Sequence, residues 1–316
     1  MDKRIWIVGA GGIAIEYTKV LKALNRDFIV IGRGHESALK FKEATGIEPI
    51  EGGLDAFLNT NPEKPEKVIN CARATELAKT NIALMNYGVK SILSEKPGFY
   101  PEELNEVESV VRKNGTQVYI AYNRRFYASV LKAEEIIKED GGLTSFNFEF
   151  TEWVHVFNNN IDRYPKVELN NLLIGNSSHV IDLAFFMGGT PKEMSCYSKD
   201  EISWHKPVNF AGAGITTKNV LFNYQANWNA PGRWAVEMLT PLHRIYLKPM
   251  EQLQMQDKGS VKVYPVEIDD HLDKEFKPGF YLETKALLDG DITRLCTLTE
   301  QVEHVKEIYS KILGKQ

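Results

Sequence analysis

Short apolar runs alternate with amphipathic stretches along the first part of the chain. Four or five consecutive apolar residues indicate a buried strand, and apolar residues repeating every three or four positions indicate a helix. Such strand–helix alternation predicts a parallel sheet with helices on both faces. The predicted strands are 5–8, 28–31, 68–72, 91–94 and 118–121.

The pattern changes after residue 122, where apolar and polar residues alternate along several segments. That alternation predicts strands with one buried face in a mostly antiparallel sheet. We therefore divide the chain into one domain over residues 1–121 and a second over 122–316. The strands predicted in the second domain are 144–156, 193–198, 213–217, 220–228, 235–240 and 244–247, and its helices are 128–138, 180–187 and 298–313.

Length and composition narrow the class of protein. A chain of 316 residues favours two domains, and 43% hydrophobic with 25% charged residues is typical of globular proteins. The formal net charge of −4 gives no basic field for nucleic acid, and no apolar run reaches the length of a membrane span. The N-terminal residues lack the apolar core of a signal peptide.

The three cysteines, Cys71, Cys196 and Cys296, are far apart in the sequence. Their odd number and wide spacing indicate neither a disulfide framework nor a metal site. We expect a cytoplasmic protein, because a reducing compartment suits free thiols. No set of histidine, cysteine and aspartate residues has the spacing of metal ligands, so no metal is expected.

A dinucleotide-binding fingerprint directly follows the first predicted strand. In this G-x-G-x-x-A pattern the first glycine permits a tight turn, and the second lets the backbone approach a pyrophosphate. Free amides at the start of the following helix then bind the phosphate charge. An alternative is a glycine-rich turn that binds no ligand. The residues that we expect to bind the cofactor here are Gly9, Gly11, Gly12, Ile13 and Ala14.

The end of the second predicted strand bears on the choice of cofactor. NAD sites usually carry a carboxylate there, which binds the ribose 2′-hydroxyl. In this chain the segment 31–35 contains no acidic residue, and Arg33 is available for a 2′-phosphate. We expect NADP as the preferred cofactor, with NAD as the alternative if Arg33 is an ordinary surface residue.

Three further motifs complete a family resemblance. They are Ser94-Glu95-Lys96-Pro97, Tyr122-Asn123-Arg124-Arg125-Phe126 and Gly175-Asn176-Ser177-Ser178-His179-Val180-Ile181-Asp182. Together with the fingerprint, and in this order, they resemble the Gfo/Idh/MocA oxidoreductase family of glucose-fructose oxidoreductase and myo-inositol dehydrogenase. The resemblance covers nearly the whole chain, and Glu-Lys-Pro at a strand end is its most specific element.

The resemblance implies an N-terminal Rossmann domain followed by an α+β domain with a large open sheet. It implies a nicotinamide cofactor bound near Lys96, and a sugar, a cyclitol or a sugar nucleotide as the substrate. It also implies a homodimer or homotetramer that packs through the open sheet. Because strand ends face the ligand crevice in such folds, we expect further cofactor contacts from Ala72, Thr75, Glu95, Lys96 and Asn123.

Lys96 and His179 match the catalytic lysine and histidine of that family. The lysine charge would orient a substrate hydroxyl and favour the developing alkoxide. The histidine ring would accept the hydroxyl proton while a hydride moves to the nicotinamide. One departure is Gly175, which stands where many members carry an aspartate, so the carboxylate that assists both residues is missing. Asn176 could replace its hydrogen bonds but not its charge.

The domain junction and the stretch 153–166 supply the remaining candidates. An arginine at the junction, Arg124 or Arg125, could bind an anionic group bidentately. Alternatively, one or both arginines join the two domains through salt bridges. Asp182 is expected to have a structural role. The residues expected to contact the substrate are Lys96, Asn123, Arg124, His155, Tyr164, Asn176 and His179.

Three functions remain open for such a chain. The leading hypothesis is an NAD(P)-dependent dehydrogenase or reductase that acts on a CH–OH group of a carbohydrate-like substrate. The second is a regulatory protein of the same fold that binds the dinucleotide without catalysis, which the missing aspartate favours slightly. The third is an enzyme that keeps its cofactor bound through an internal redox cycle.

Overall fold

The structure is a computed structural model, and it describes residues 4–315. Its strands are β1 (Ile5–Val8), β2 (Phe28–Ile31), β3 (Val68–Asn70), β4 (Ser91–Ser94), β5 (Gln117–Ile120), β6 (Ser145–Glu149), β7 (Pro191–Lys199), β8 (Asn209–Thr216), β9 (Leu221–Asn227), β10 (Ala235–Leu239), β11 (His243–Leu247), β12 (Gln254–Asp257), β13 (Val263–Pro265) and β14 (Cys296–Thr297). Its α-helices are α1 (Gly12–Ala23), α2 (His35–Thr45), α3 (Gly53–Asn59), α4 (Leu77–Tyr87), α5 (Leu104–Asn114), α6 (Ala128–Glu139), α7 (Val154–Asn158), α8 (Lys166–Asn170), α9 (Ser178–Gly188), α10 (His271–Glu275), α11 (Phe280–Asp289), α12 (Leu298–Glu303) and α13 (Ser310–Ile312). Among these residues, no helix combines the length and the apolar character that crossing a membrane requires.

A six-stranded sheet forms the centre of the first of two compact units. Its strand order is β14-β5-β4-β3-β1-β2, and only β14 runs antiparallel to its neighbour in the described sheet. β1 pairs with β2 on one side and with β3 on the other, so the strand order reverses there. In a doubly wound sheet, ligands bind at the carboxyl ends of the strands beside such a reversal.

An eight-stranded sheet forms the centre of the second unit, in the order β13-β12-β11-β10-β6-β9-β8-β7. The β6–β9 pair is parallel and the other described pairs are antiparallel. Along β9, buried and exposed residues alternate, so one face of the sheet is packed and the other is open. On the packed face, Phe185 of α9 meets Phe146 and Phe148 of β6, with ring centroids 6.0 and 5.4 Å apart.

These two sheets confirm the predicted fold class, a Rossmann sheet followed by an α+β arrangement with a large, open and mostly antiparallel sheet. The first unit holds the residues up to Asn123 together with Leu272–Val302, and the second holds Arg124–His271 and the residues from Glu303 onward. The predicted second domain, 122–316, therefore differs from the second unit. The chain returns to the first unit because β14 pairs with β5 and because the Phe280 ring of α11 packs 4.6 Å from Tyr17 of α1.

Single elements also differ from the predicted ones. The strand predicted at 144–156 ends at Glu149, because the Asn227 amide donates to the Thr151 hydroxyl at 3.2 Å and not to a backbone carbonyl of that strand. Residues 154–158 form α7 instead. The polar sequence of β12 and the three-residue length of β13, which ends in a proline, gave no strand pattern. The helix predicted at 298–313 consists of α12, a π-helical segment at His304–Tyr309, and α13.

Candidate functional site

A cavity of about 620 Å³ lies at the carboxyl ends of β1, β2 and β3 in the first unit. Four of the residues predicted to bind the cofactor line it, namely Gly9, Gly11, Arg33 and Ala72. Other lining residues come from the start of α2, the start of α3 and the start of α4. The position beside the reversal of strand order and the volume both suit a nucleotide.

Gly9 brings β1 and β3 together at the floor of this cavity. Its φ of +105° lies in the left-handed region, and a Cβ atom there would be 2.6 Å from the carbonyl oxygen of Cys71. A Cβ atom on Gly11 or Gly12 would instead meet nothing within 4 Å. Gly11 is the N-cap of α1, and no side chain caps the helix. The first amides of α1 therefore face open space and can bind a pyrophosphate.

The seven other predicted cofactor ligands, Gly12, Ile13, Ala14, Thr75, Glu95, Lys96 and Asn123, do not line the cavity. Gly12 and Ile13 form the first turn of α1, and Ala14 is fully buried in the same helix. Thr75 lies in a 3₁₀ turn, Ala74–Glu76, of which Glu76 and not Thr75 faces the cavity. Their roles as ligands stay predictions.

Arg33 lies at the rim of the cavity with 78% of its side chain exposed. Its Nη1 is 3.8 Å from Glu76 Oε2, a loose contact across the rim. Beyond Arg33, α2 begins at a glycine N-cap without a side-chain cap, and the Ser37 hydroxyl donates to the Gly34 carbonyl at 2.8 Å. An exposed guanidinium next to uncapped helix amides is suited to a phosphate group.

Lys96 lies on the loop after β4, and buried side chains hold the backbone of this loop. Asn81 on α4 donates to the carbonyl oxygen of Gly98 at 3.3 Å. Gln301 on α12 donates to the carbonyl oxygen of Pro97 at 3.1 Å. Asn81 is 2% exposed and Gln301 is fully buried. The half-buried Lys96 side chain therefore starts from a backbone that is fixed by the interior of the first unit.

A buried tyrosine joins two carboxylates beside the same loop. The Tyr17 hydroxyl on α1 lies 3.2 Å from Glu95 Oε1 and 3.2 Å from Glu283 Oε2 of α11. Burial, with the charges of Glu283 and Glu95, holds the pKa of Tyr17 well above its usual range, so the phenol remains a donor. Burial also raises the pKa of Glu95, against the opposing charge of Lys96. The sequence did not reveal this cluster, because Tyr17 and Glu95 are 78 positions apart.

His179 lies at the start of α9, directly after a π-helical turn at Leu173–Ser177. Such turns are frequent at functional sites because they re-aim the side chains that follow. The histidine is 7% exposed, and its ring packs against Trp234 with centroids 6.0 Å apart. Sequence analysis pointed to His179 but not to Trp234.

A buried carboxylate, Glu152, lies beside this turn. It accepts hydrogen bonds from Ser177 Oγ at 2.6 Å, from Asn176 Nδ2 at 2.9 Å and from Trp234 Nε1 at 3.3 Å. The turn before His179 thus has a negative charge next to it, although Gly175 supplies none. Sequence analysis missed Glu152 because it lies inside the strand predicted at 144–156. Asn176, which was predicted to contact the substrate, is hydrogen-bonded to this carboxylate.

Two arginines lie on Trp234. The Arg124 guanidinium is 4.8 Å from the ring centroid and the Arg233 guanidinium is 4.3 Å from it. Burial lowers the pKa of Arg124, and the charge of Arg233 lowers it further. Arg233 also lies 4.7 Å from the ring of Trp153. Within the second unit the fold therefore gathers His179, the two arginines and Glu152 around one indole.

Arg125 has a different role from Arg124. Its Nε and Nη2 donate to the two carboxylate oxygens of Asp182 at 2.9 and 2.6 Å, and both side chains are buried. The guanidinium also lies 4.5 Å from the Phe186 ring. This pair joins the segment after Asn123 to α9 inside the second unit, which agrees with a structural role for Asp182.

The remaining predicted residues lie apart from the indole cluster or have other partners. His155 is exposed on α7 and packs 6.0 Å from Trp153. Tyr164 packs against Phe157 at 5.2 Å. Asn123 belongs to the first unit, is 4% exposed, and donates from Nδ2 to the Pro278 carbonyl at 2.9 Å. Ligand roles for these three stay predictions.

Comparison with known proteins finds relatives by structure only. No family model and no curated protein matches the sequence. The UDP-N-acetylglucosamine 3-dehydrogenase GnnA from Acidithiobacillus ferrooxidans is 12% identical with a TM-score of 0.74, covering 100% of this chain and 99% of its own. An oxidoreductase from Agrobacterium radiobacter, in complex with NAD⁺, L-tartaric acid and magnesium, is 12% identical with a TM-score of 0.75, covering 100% and 98%. A levoglucosan dehydrogenase in complex with NADH and L-sorbose is 15% identical with a TM-score of 0.75, covering 100% and 97%.

At these identities the likeness shows a shared fold over the full length of the chain. The neighbours are oxidoreductases whose named ligands include NAD⁺ and NADH. What they bind or transform is a property of those proteins.

Proposed function

We propose that the protein is an NAD(P)-dependent oxidoreductase that transfers a hydride between nicotinamide and a carbinol or ketone of a sugar, a cyclitol or a sugar nucleotide. The observation that carries this proposal is the cavity at the reversal of strand order, with Gly9 at its floor and Gly11, the residue directly before α1, in its lining. Gly9, Gly11, Ala72 and Arg33 would hold the dinucleotide there. When bound, a nicotinamide accepts or supplies the hydride.

Lys96 and His179 would handle the substrate hydroxyl. In the oxidative direction the C–H bond gives up a hydride, the O–H bond gives up a proton, and a carbonyl forms. The ammonium group of Lys96 stabilises the oxygen as negative charge develops on it. Because Nδ1 of His179 is buried, Nε2 is the atom that accepts the proton. In the reductive direction the same atom returns it.

The structural arrangement of each residue supports its role. The loop of Lys96 is anchored by Asn81 and Gln301, and this anchoring limits the reorganisation that an electrostatic catalyst must avoid. Glu152 lies beside the turn of His179 and supplies a charge that Gly175 does not. This carboxylate weighs against a regulatory protein without catalysis, which remains the rival proposal.

We infer NADP as the preferred cofactor, on the strength of the exposed Arg33 at the rim and the uncapped start of α2. Arg33→Ala should then weaken NADPH about 10-fold and leave NADH within about 3-fold, since one charge-assisted phosphate contact is lost. Arg112→Ala is the matched control, because Arg112 is 80% exposed at a distant helix. Tighter NADH than NADPH binding in the parent protein would instead assign NAD.

The test of the proposed function is a fluorescence titration with NADPH and NADH, followed by turnover on a panel of sugars, cyclitols and sugar nucleotides. We expect dissociation constants well below the millimolar range and absorbance change at the nicotinamide band with at least one substrate. If neither cofactor binds below millimolar concentration, the proposal is lost. Binding without any turnover would favour the regulatory protein.

The open face of the second sheet supports the further proposal of a homodimer or homotetramer. Tyr197 on β7 and Leu221 on β9 are 71% and 59% exposed on it, and a partner subunit packed on this face would cover them. A monomer in sedimentation analysis would contradict this proposal.

The cysteines Cys71, Cys196 and Cys296 are all free, in keeping with the predicted cytoplasmic location.

A further inference from the structure

Arg233 is held in a fixed orientation within the second unit. Its guanidinium packs on two indoles, 4.3 Å from Trp234 and 4.7 Å from Trp153. Its Nη1 donates to Glu152 Oε2 at 3.4 Å. Two aromatic faces and a buried carboxylate remove much of the rotamer freedom that a surface arginine has. A ligand would therefore meet a guanidinium that is already oriented.

The same guanidinium has hydrogen-bonding capacity to spare. Within residues 4–315, the bond to Glu152 is the only hydrogen bond that the Arg233 side chain makes. A guanidinium carries several more N–H groups than one such bond uses. The side chain is 40% exposed, so these groups are accessible. The carboxylate oxygens of Glu152 have hydrogen-bond donors other than Arg233, because Ser177, Asn176 and Trp234 all donate to them at shorter distances.

The backbone directly before Arg233 passes close to the end of β6. A Cβ atom on Gly232 would lie 2.1 Å from Glu149 Oε1 and 3.0 Å from the side chain of Thr151. A side chain at position 232 would therefore have to displace the Glu149 carboxylate and press on Thr151, so glycine suits this close approach to the end of β6. The Gly232 carbonyl accepts a hydrogen bond from Trp153 Nε1 at 2.9 Å, which fixes one of the two indoles that flank Arg233.

We propose that Arg233 is a specificity-determining residue that binds an oxyanion, a carboxylate or a phosphate, carried by the substrate. The inference rests on the proposed function, because it assigns the surroundings of His179 to the substrate. Carboxylates and phosphates present paired oxygens that match the planar fork of a guanidinium. The exposed ring of Trp153 adds an apolar face for the sugar itself.

The distances within the cluster give an upper bound on the separation between Arg233 and His179. Arg233 and His179 both contact Trp234, at 4.3 Å and 6.0 Å from its ring, so they lie within the sum of these two distances. A single sugar unit with its acidic substituent can bridge that span. The substrate class is therefore an acidic sugar or a sugar phosphate, including a sugar nucleotide, rather than a neutral sugar.

Calorimetric titration of the full chain, with and without NADPH, tests this assignment. The probes are D-glucose, D-glucuronate and glucose 1-phosphate. We expect at least one acidic probe to bind about 10-fold or more tightly than D-glucose. Preference for glucuronate would identify a carboxylate ligand, and preference for glucose 1-phosphate a phosphate ligand. In Arg233→Gln this preference should disappear, while the affinity for D-glucose stays within about 3-fold.

Arg244→Gln is the matched control. Arg244 is 43% exposed, lies 5.4 Å from the Tyr246 ring and pairs with Glu237, so it repeats the chemistry of Arg233 at another place on the second sheet. Its substitution should leave all three affinities unchanged. Should Arg233→Gln fail to fold, Arg233→Lys keeps the charge without the fork and should retain only part of the preference.

Two results would overturn the inference. One is a parent protein that binds acidic and neutral probes equally, or binds none of them. The other is an Arg233 variant that keeps the full acidic preference. The proposed function fails differently, by absence of NADPH binding or of turnover. A protein that binds NADPH and oxidises neutral sugars without acidic preference would lose the inference alone.

Discussion

About half of the residues that line the cavity of the first unit are glycine, alanine or other small residues, whereas the cluster of the second unit consists of long side chains around one indole. Backbone amides and a close glycine turn can bind the pyrophosphate that all dinucleotides share, and contiguous residues encode them. A substrate site must recognise one particular molecule. Here the candidate residues 124, 152, 179 and 233 come from separate segments of the chain. The difference suggests that cofactor binding is fixed by the fold and substrate choice by side chains.

The largest expected effect separates catalysis at Lys96 from cofactor binding at the cavity of the first unit. Lys96→Met should lower turnover about 10³-fold, because it removes the positive charge that stabilises the alkoxide. NADPH affinity should stay within about 3-fold, since Lys96 lies outside the lining of the cavity. Steady-state kinetics and fluorescence titration measure the two quantities. Lys90→Met, at an exposed lysine just before β4, is the control, and equal turnover in the two variants would break the comparison.

The second unit should contribute a pH dependence to the free energy of unfolding through its buried His205. His205 is 4% exposed, its Nδ1 lies 2.9 Å from the Pro207 carbonyl, and burial lowers its pKa from 6.5 to about 4. As the pH falls below 6.5, the unfolded chain gains a proton that the folded protein does not bind. Stability is therefore complete above pH 6.5 and is lost as the pH falls toward 4, by on the order of 2–3 kcal/mol at pH 4.5.

His205→Asn, which can keep the hydrogen bond to Pro207, should remove most of this loss. Urea unfolding at pH 7.5 and pH 4.5 measures the difference in the free energy of unfolding. His35→Gln serves as the control, because His35 is 72% exposed. An equal pH dependence in His205→Asn and the parent protein would show that this histidine does not remain neutral in the folded state.

A smaller effect concerns the tyrosine that joins two carboxylates in the first unit. Tyr17→Phe keeps the ring packing on Phe280 but removes the hydroxyl between Glu95 and Glu283. The free energy of unfolding should fall by about 2 kcal/mol, since two buried acceptors lose a shared donor. Turnover should fall about 10-fold through the loosened loop of Lys96, with cofactor affinity nearly unchanged.

Tyr119→Phe controls for the loss of a buried phenol. Tyr119 is 3% exposed on β5 and makes no side-chain hydrogen bond within the described chain. Its substitution should change stability by less than about 0.5 kcal/mol. If Tyr17→Phe changes stability and turnover as little as Tyr119→Phe does, the cluster of Tyr17, Glu95 and Glu283 plays no part in holding the Lys96 loop.

Local patterns predicted the parts of this molecule that contiguous residues determine. Gly9 and Gly11 follow a strand and open a helix, so their placement at the cavity follows from a few neighbouring positions. The five parallel strands of the first sheet are rich in apolar residues and were predictable for that reason, whereas the short β14 was not predicted. Arg33 was identified by its place at a strand end.

Long-range pairings could not be predicted from the sequence alone. The bidentate pair of Arg125 with Asp182 joins positions 57 residues apart, and nothing near Arg125 distinguished it from Arg124. Glu152 lay inside the strand predicted at 144–156, and Trp234 lay just before the strand predicted at 235–240, so neither was singled out. The return of α11 to the first unit depends on Phe280 meeting Tyr17, a contact that no local pattern encodes.

Hydride transfer itself is the most direct test of the central claim, that the protein transfers a hydride between nicotinamide and a carbohydrate-like substrate. NADPH deuterated at C4 of the nicotinamide, on either face in turn, would be supplied with the ketone that the panel identifies, and the product analysed by mass spectrometry. We predict one deuterium on the new carbinol carbon with one of the two labelled cofactors, and none with Lys96→Met over the same time. A product that carries no deuterium with either cofactor would contradict direct hydride transfer and the proposed function with it.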